Sequence, residues 1–186
     1  MNETLKIIQA RSSCRNFIDK LPTDEELKAI AQAAIQSPSG MNRQCWQIIV
    51  VKNKEIILEM DKEGLQNLKA ADNAFYERVV ARTGDLFYHA PCMIMIAIKK
   101  AEKEGAELVD LGIVAQNIVI AAESLGLASL HCGLAGFSFA GSRAEDFKKK
   151  LSFPPEYECG LAVLLGHAKE KRAPREPDQG KITYIQ

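Results

Sequence analysis

From Asp110 to Glu123 the interior of the chain carries no charge, and apolar residues recur at helical spacing on more than one side. Leu111, Val114, Ile118, Ala122 and Leu125 fall on one face, Ile113 and Ile120 on another. A helix apolar all round has to be buried. The stretch is too short, and too interrupted by Gln116 and Asn117, to span a bilayer, which takes ~20 apolar residues. Asp110 stands where a carboxylate favours the positive end of a helix dipole, and Gly126 where a left-handed residue ends a helix. The pattern predicts a central core helix over 110–126 with the rest of the chain packed round it.

The same periodicities place the other elements. Asn2 caps a short helix from Glu3 to Ala10. Thr23 and Glu26 form a capping-box signature ahead of Leu27, Ile30, Ala31, Ala34 and Ile35, and Pro38 and Gly40 end that helix. Trp46 to Val51 reads as a buried strand, Lys54 to Gly84 as helix with a break near Gly64. Cys92 to Ile98 is a strand whose unbroken apolar character requires cover on both faces. Ala128 to Leu134 is a third strand leading into a Gly-rich turn, and Ser142 with Glu145 is a second capping box opening a helix to Leu151. Cys159 to Leu165 is a fourth strand. The tail, 167–186, is stiffened by Pro174 and Pro177, and Ile182 to Ile185 is a candidate edge strand on this chain or on a partner.

Composition sets the class. The 186 residues suit a single domain; 47% are apolar and 26% charged, which is ordinary for a globular protein. Acidic and basic residues balance at 24 each, so no net field draws the chain to nucleic acid or to an anionic membrane. Cys14, Cys45, Cys92, Cys132 and Cys159 are odd in number and widely spaced, unlike a disulfide framework or a zinc site, and read as small buried hydrophobes. With no secretory leader in MNETLKII, a reducing cytoplasm is expected. His89, His131 and His167 share no metal-binding spacing and read as structural.

Candidate chemistry lies in polar clusters beside these apolar elements. Arg11, Ser12, Ser13 and Arg15 join guanidinium groups to hydroxyls, the combination that fixes a phosphate, although composition alone favours a solvated loop. The loop from Ser37 to Gln44, with Pro38, Ser39, Asn42 and Gln44, offers amide donors and acceptors suited to the edge of a heteroaromatic ring; taken alone it also suits helix termination. Gly133 to Gly136 is a turn whose backbone can approach a ligand closely, or an ordinary turn. No Walker loop, nucleophile elbow or dinucleotide fingerprint is present.

In this order the clusters resemble the flavin-dependent nitroreductase family. Arg11-Ser-Ser-Cys-Arg-Asn-Phe17 is similar to its Arg-x-Ser-x-Arg-x-Phe segment. Ser37-Pro-Ser-Gly-Met-Asn-Arg-Gln-Cys-Trp46 is similar to its Ser-Pro-Ser-x-x-Asn-x-Gln-Pro-Trp, departing at Cys45 where proline is usual. Phe87 to Pro91, the long helix ending in Leu-Gly-Leu, and Leu165-Gly-His with the later arginines complete the likeness. The resemblance implies an α+β fold with a mixed sheet flanked by helices, and a homodimer with non-covalent FMN at the subunit interface. It places Arg11, Ser13 and Arg15 on the phosphate or ribityl chain, with Arg172 or Arg175 assisting. Pro38, Ser39 and Asn42 are then expected to reach the isoalloxazine from the other subunit, and the backbone of Leu134, Ala135 and Gly136 to face its reactive side. The implied reaction passes hydride from NADH or NADPH through FMN to a small acceptor such as a nitroaromatic or quinone. No side chain is assigned a catalytic proton transfer, since the cofactor carries the chemistry. A flavin-binding carrier or sensor without turnover is the alternative, and an interaction module without cofactor a third.

Overall fold

Asn2 Oδ1 accepts the Leu5 N–H and opens helix α1 (Glu3–Ala10) in the computed structural model, which describes residues 1–99 and 105–185. The Thr23 and Glu26 capping box forms in both directions and opens α2 (Asp24–Ile35), which buries Leu27, Ile30 and Ala34. There follow β1 (Trp46–Val51), α3 (Lys54–Ala71), α4 (Asn73–Thr83), β2 (Cys92–Lys99), α5 (Ala106–Ser124), β3 (Ala128–Cys132), α6 (Ala144–Lys150) and β4 (Tyr157–Gly166). Short 3-10 turns lie at Gly40–Asn42, Gly133–Phe139 and Gln179–Lys181.

The strands pair antiparallel in the order β1-β2-β4-β3, so β2 and β4 are central. The expected mixed sheet is thus antiparallel in all its strand pairings, and parallel geometry is confined to an isolated bridge from Ser13 to Ser129 at the β3 edge. Alternation along β2 sends Met93 and Met95 to one face, and Cys92, Ile94, Ile96 and Ile98 to the other. The first face is covered by α3, α4, the Gly133–Phe139 turn and α6, the second by α2 and α5. That two-sided cover is why β2 is apolar without interruption, as expected, although its neighbours are antiparallel.

On α5, Leu111, Val114, Ala115, Ile118, Val119 and Ala122 are buried against the sheet and α2. Each large aliphatic side chain among them contributes roughly 1.5–3 kcal/mol. Gly126, with φ 73, closes the helix: the Leu127 N–H reaches the Ala122 carbonyl and the Gly126 N–H that of Glu123, the paired bonds of a Schellman end.

Several local expectations are corrected. The break between α3 and α4 falls at Asp72, not near Gly64. Asp72 is extended and accepts the Phe75 N–H on its side chain, whereas Gly64 is a buried helical residue packed against Leu86 and Ser138. α5 begins at Ala106, so Asp110 lies in its second turn, away from the first-turn dipole position that Glu107 holds. The face of α5 bearing Leu108 and Val109 is open to solvent in the single chain. Ser142 makes no capping box: α6 begins at Ala144, which puts Arg143 at the cap position with no side-chain cap bond. Finally, β3 ends at Cys132 rather than Leu134, and Ile182 to Ile185 forms no strand within this chain.

Candidate functional site

Beyond α1 the chain is sewn to the sheet. The Cys14 N–H donates to the Ser129 carbonyl at 2.9 Å, the Ile18 N–H to His167 at 3.0 Å, and the Lys169 N–H to Asn16 at 2.9 Å. Segment 13–18 therefore runs between the β3 edge and the strand leaving β4, and the tail is carried back over it. Arg11, Ser12, Ser13 and Arg15 are left half-buried at the rim of two adjoining basins. The smaller, about 220 Å³, is lined by Ser12, Ser13, Arg15 and Arg172, with His167 and Lys171. The larger, about 1080 Å³, adds Arg11 and Arg175.

Arg11, Arg15, Arg172 and Arg175 have no carboxylate partner among the described residues. Glu123, on the wall of the smaller basin, is neutralised by Lys171 at 2.6 Å. Burial pushes the Cys14 thiol up; its bond to the Asn16 backbone and the Arg172 and Arg15 guanidinium groups oppose that rise. The donor set fits a phosphate, which takes several charge-assisted hydrogen bonds from guanidinium and hydroxyl groups. Arg172 lines both basins and Arg175 only the larger, which separates two arginines that sequence left equivalent.

The second cluster is a tightly specified loop. The Gln44 N–H donates to Ser39 Oγ at 2.9 Å, Gln44 Nε2 to Asn42 Oδ1 at 2.9 Å, and the Asn42 N–H to the Ser39 carbonyl at 3.0 Å. Met41, Asn42 and Gln44 all have positive φ, a conformation that costs a non-glycine residue about 1–3 kcal/mol and concentrates at functional sites. Pro38, Asn42 and Gln44 are exposed and Ser39 partly so. This loop lines neither arginine basin, so one chain does not bring the two groups together.

The third cluster, Leu134 to Gly136, forms part of a 3-10 turn, in keeping with the turn expected there. Ala135 is fully buried and Leu134 packs on the core, while a Cβ added at Gly133 or Gly136 would meet nothing within 4 Å. The open side of the turn can thus admit a ligand. Burial pushes the Cys132 thiol up to about 11, against the backbone N–H groups of Ala135 and Leu134, which disfavours the thiolate at neutral pH.

Sequence reasoning missed two features. Asp110 accepts the Gly40 N–H at 3.2 Å, and Asn117 Nδ2 donates to Ser37 Oγ at 2.9 Å, so the polar interruptions of α5 hold the amide loop. A lone acid in an otherwise uncharged helical run was the available signal. The other is a cavity of about 480 Å³ at the end of the sheet, with Phe17, Ile57, Leu58 and Phe87 around Asp61, Asp85 and His89. Among the described residues no group of three or more His, Cys, Asp or Glu is placed to hold a metal ion, and no helix is long and apolar enough to cross a membrane.

Known proteins share this fold. The nitroreductase crystal structure with bound FMN from Desulfitobacterium hafniense DCB-2 is 54% identical, superposes with a TM-score of 0.96 and is covered, like this chain, at 100%. That from Bacteroides fragilis NCTC 9343, also with bound FMN, is 26% identical over 100% of both chains with a TM-score of 0.89. An FMN reductase (NADPH) of Bacillus subtilis is 27% identical over 99% of this chain and 75% of its own length. The family model described as "Nitroreductase family" matches residues 8–167. With most of its length under that match, the chain belongs to the nitroreductase family.

Proposed function

We propose that the chain is an NAD(P)H-dependent FMN oxidoreductase, and that FMN sits between two copies of it. The observation that carries this reading is the convergence of Arg11, Arg15 and Arg172 with Ser12 and Ser13 on adjoining basins, where cations and hydroxyls outnumber the carboxylates of Glu123, Glu170 and Glu176 on the walls. FMN, when bound, supplies the two-electron chemistry, taking hydride from a nicotinamide and passing it to a small acceptor such as a nitroaromatic or quinone.

The protein's part is binding, orientation and exclusion of water. Arg11, Ser13, Arg15 and Arg172 hold the phosphate, with Arg175 at the outer rim. Pro38, Ser39 and Asn42, stiffened by Gln44, meet the ring from the other subunit, and the turn at Leu134 to Gly136 presents its open side to the reactive edge. The exposed apolar residues Leu5, Ile8, Met41, Leu108, Val109, Ile182, Tyr184 and Ile185 support a homodimer, since scattered single exposures are ordinary but these sit on α1, α5, the amide loop and the tail that the site requires. All five cysteines are unpaired, which suits a reducing cytoplasm.

Purified protein titrated with FMN, then with NADH or NADPH without oxygen, tests the reading. The expected result is a bound flavin band that bleaches with at least one nicotinamide and recovers on adding a quinone. Arg15→Glu should weaken FMN binding roughly ten- to a hundredfold, the loss of a charge-assisted hydrogen bond. Failure to bind FMN overturns the assignment. Bound flavin that neither nicotinamide reduces makes the protein a carrier.

A further inference from the structure

α5 carries two polar side chains seven residues apart, and both are used on one loop. Asp110 is 4% exposed, and its Oδ1 accepts the Gly40 N–H at 3.2 Å. Asn117 Nδ2 donates to Ser37 Oγ at 2.9 Å and reaches the Ala33 carbonyl at 3.5 Å. Seven residues make about two turns, so the two grips lie roughly 10.5 Å apart along the axis, one on each side of Pro38 and Ser39.

Stability of the helix does not explain the Asp110 grip. Asp110 Oδ2 is buried with no hydrogen-bond partner, an arrangement that disfavours folding. What the pair provides is geometry. The segment it holds contains consecutive left-handed residues, Met41 and Asn42, which the chain does not adopt unless its surroundings over-determine them.

We propose that Asp110 and Asn117 are positioning residues for the flavin ring: the central helix holds the segment from Ser37 to Asn42 in the one conformation that meets the isoalloxazine. This rests on the reading that the loop contacts FMN. Reactions that depend on orientation lose rate steeply with misplacement of ångström size, so two hydrogen bonds remote from the reacting atoms can control turnover.

Asp110→Leu removes the acceptor, Asp110→Asn keeps it, and Asn117→Leu removes the donor. Each is studied as the FMN-saturated protein, by flavin absorption and circular dichroism, by FMN affinity, and by kcat and KM for a quinone. Asp110→Leu and Asn117→Leu should alter the bound-flavin spectrum and lower kcat roughly tenfold. Asp110→Asn should restore both to within about threefold of the parent. A merely structural role would lower the unfolding midpoint and leave the spectrum and kcat of the folded fraction alone, which overturns the proposal. So would Asp110→Leu and Asp110→Asn behaving alike. If Asp110→Leu does not fold, Asn117→Leu decides. Asn42→Ala separates the two levels: if it too leaves the flavin spectrum unchanged, the loop does not meet the ring and the underlying reading fails. If it shifts the spectrum and the α5 variants do not, only the positioning role falls.

Discussion

Burial pushes the Asp61 carboxyl up from 3.8 to about 6; the Leu86 N–H that it accepts at 2.7 Å opposes the rise, the nearby Asp85 adds to it and His89 lowers it. A carboxyl whose folded pKa is raised binds its proton more tightly in the native state. Stability is therefore expected to fall as pH rises from about 4 to about 6 and to level off above that. Asp61→Asn keeps an acceptor for Leu86 and removes the titration. We expect it to match the parent near pH 4 and to exceed it by about 1 kcal/mol at pH 7, a figure discounted for the group's partial exposure. Urea unfolding at several pH values checks this, and a difference independent of pH would count against it. Gly166 gives a second prediction. A Cβ there would lie 2.8 Å from Pro91 Cδ and 3.2 Å from Phe17 Cδ1, and a proline ring cannot swing away. Gly166→Ala should cost about 1–3 kcal/mol in denaturant unfolding. Because the next residue, His167, accepts the Ile18 N–H, the strain is expected to reach the arginine basin and weaken FMN binding as well.

At the scale of elements, caps decide where helices stop. Asp72 ends α3, its own N–H reaching the Leu68 carbonyl, and starts α4 by accepting the Phe75 N–H at 2.8 Å. Asp72→Ala is expected to lower stability by about 1 kcal/mol, read as a shift in the urea midpoint with unchanged slope. Thr23 was legible as a cap because its partner Glu26 is three residues away, within the reach of a local pattern. The break at Asp72 was less legible, since Gly64 is the stronger local breaker. Its placement in mid-helix has a tertiary cause: a Cβ there would lie 2.5 Å from Leu86 Cδ1 and 3.0 Å from Ser138 Oγ, so glycine serves close packing of α3 on its neighbours. Ser142 shows the reverse case, a pattern of the right spacing that the chain leaves unused because the helix starts two residues later.

For the whole molecule, the arginine basin and the amide loop become one site only if two chains supply them. The tail's Ile182, Tyr184 and Ile185 are 55%, 85% and 95% exposed in the single chain. Removing residues from Ile182 onward is expected to raise the dimer dissociation constant at least roughly a hundredfold, as burial of such side chains is worth about 1.5–3 kcal/mol each. FMN binding should then depend on protein concentration. Sedimentation velocity with parallel flavin titration measures both; a parent chain that stays monomeric while binding FMN fully would remove the shared site.

What sequence determined by itself was the order and type of the elements and the three polar clusters. Those depend on hydrophobic period, caps and turn residues, which act over a few positions. Tertiary structure decided which clusters meet. It set Arg172 beside Arg15 and left the amide loop apart. It also turned Asp110 from a supposed dipole partner into the anchor of Gly40, seventy residues away. Contacts at that separation are set by strand register and by the faces that helices present to the sheet, and no local pattern of residues encodes them.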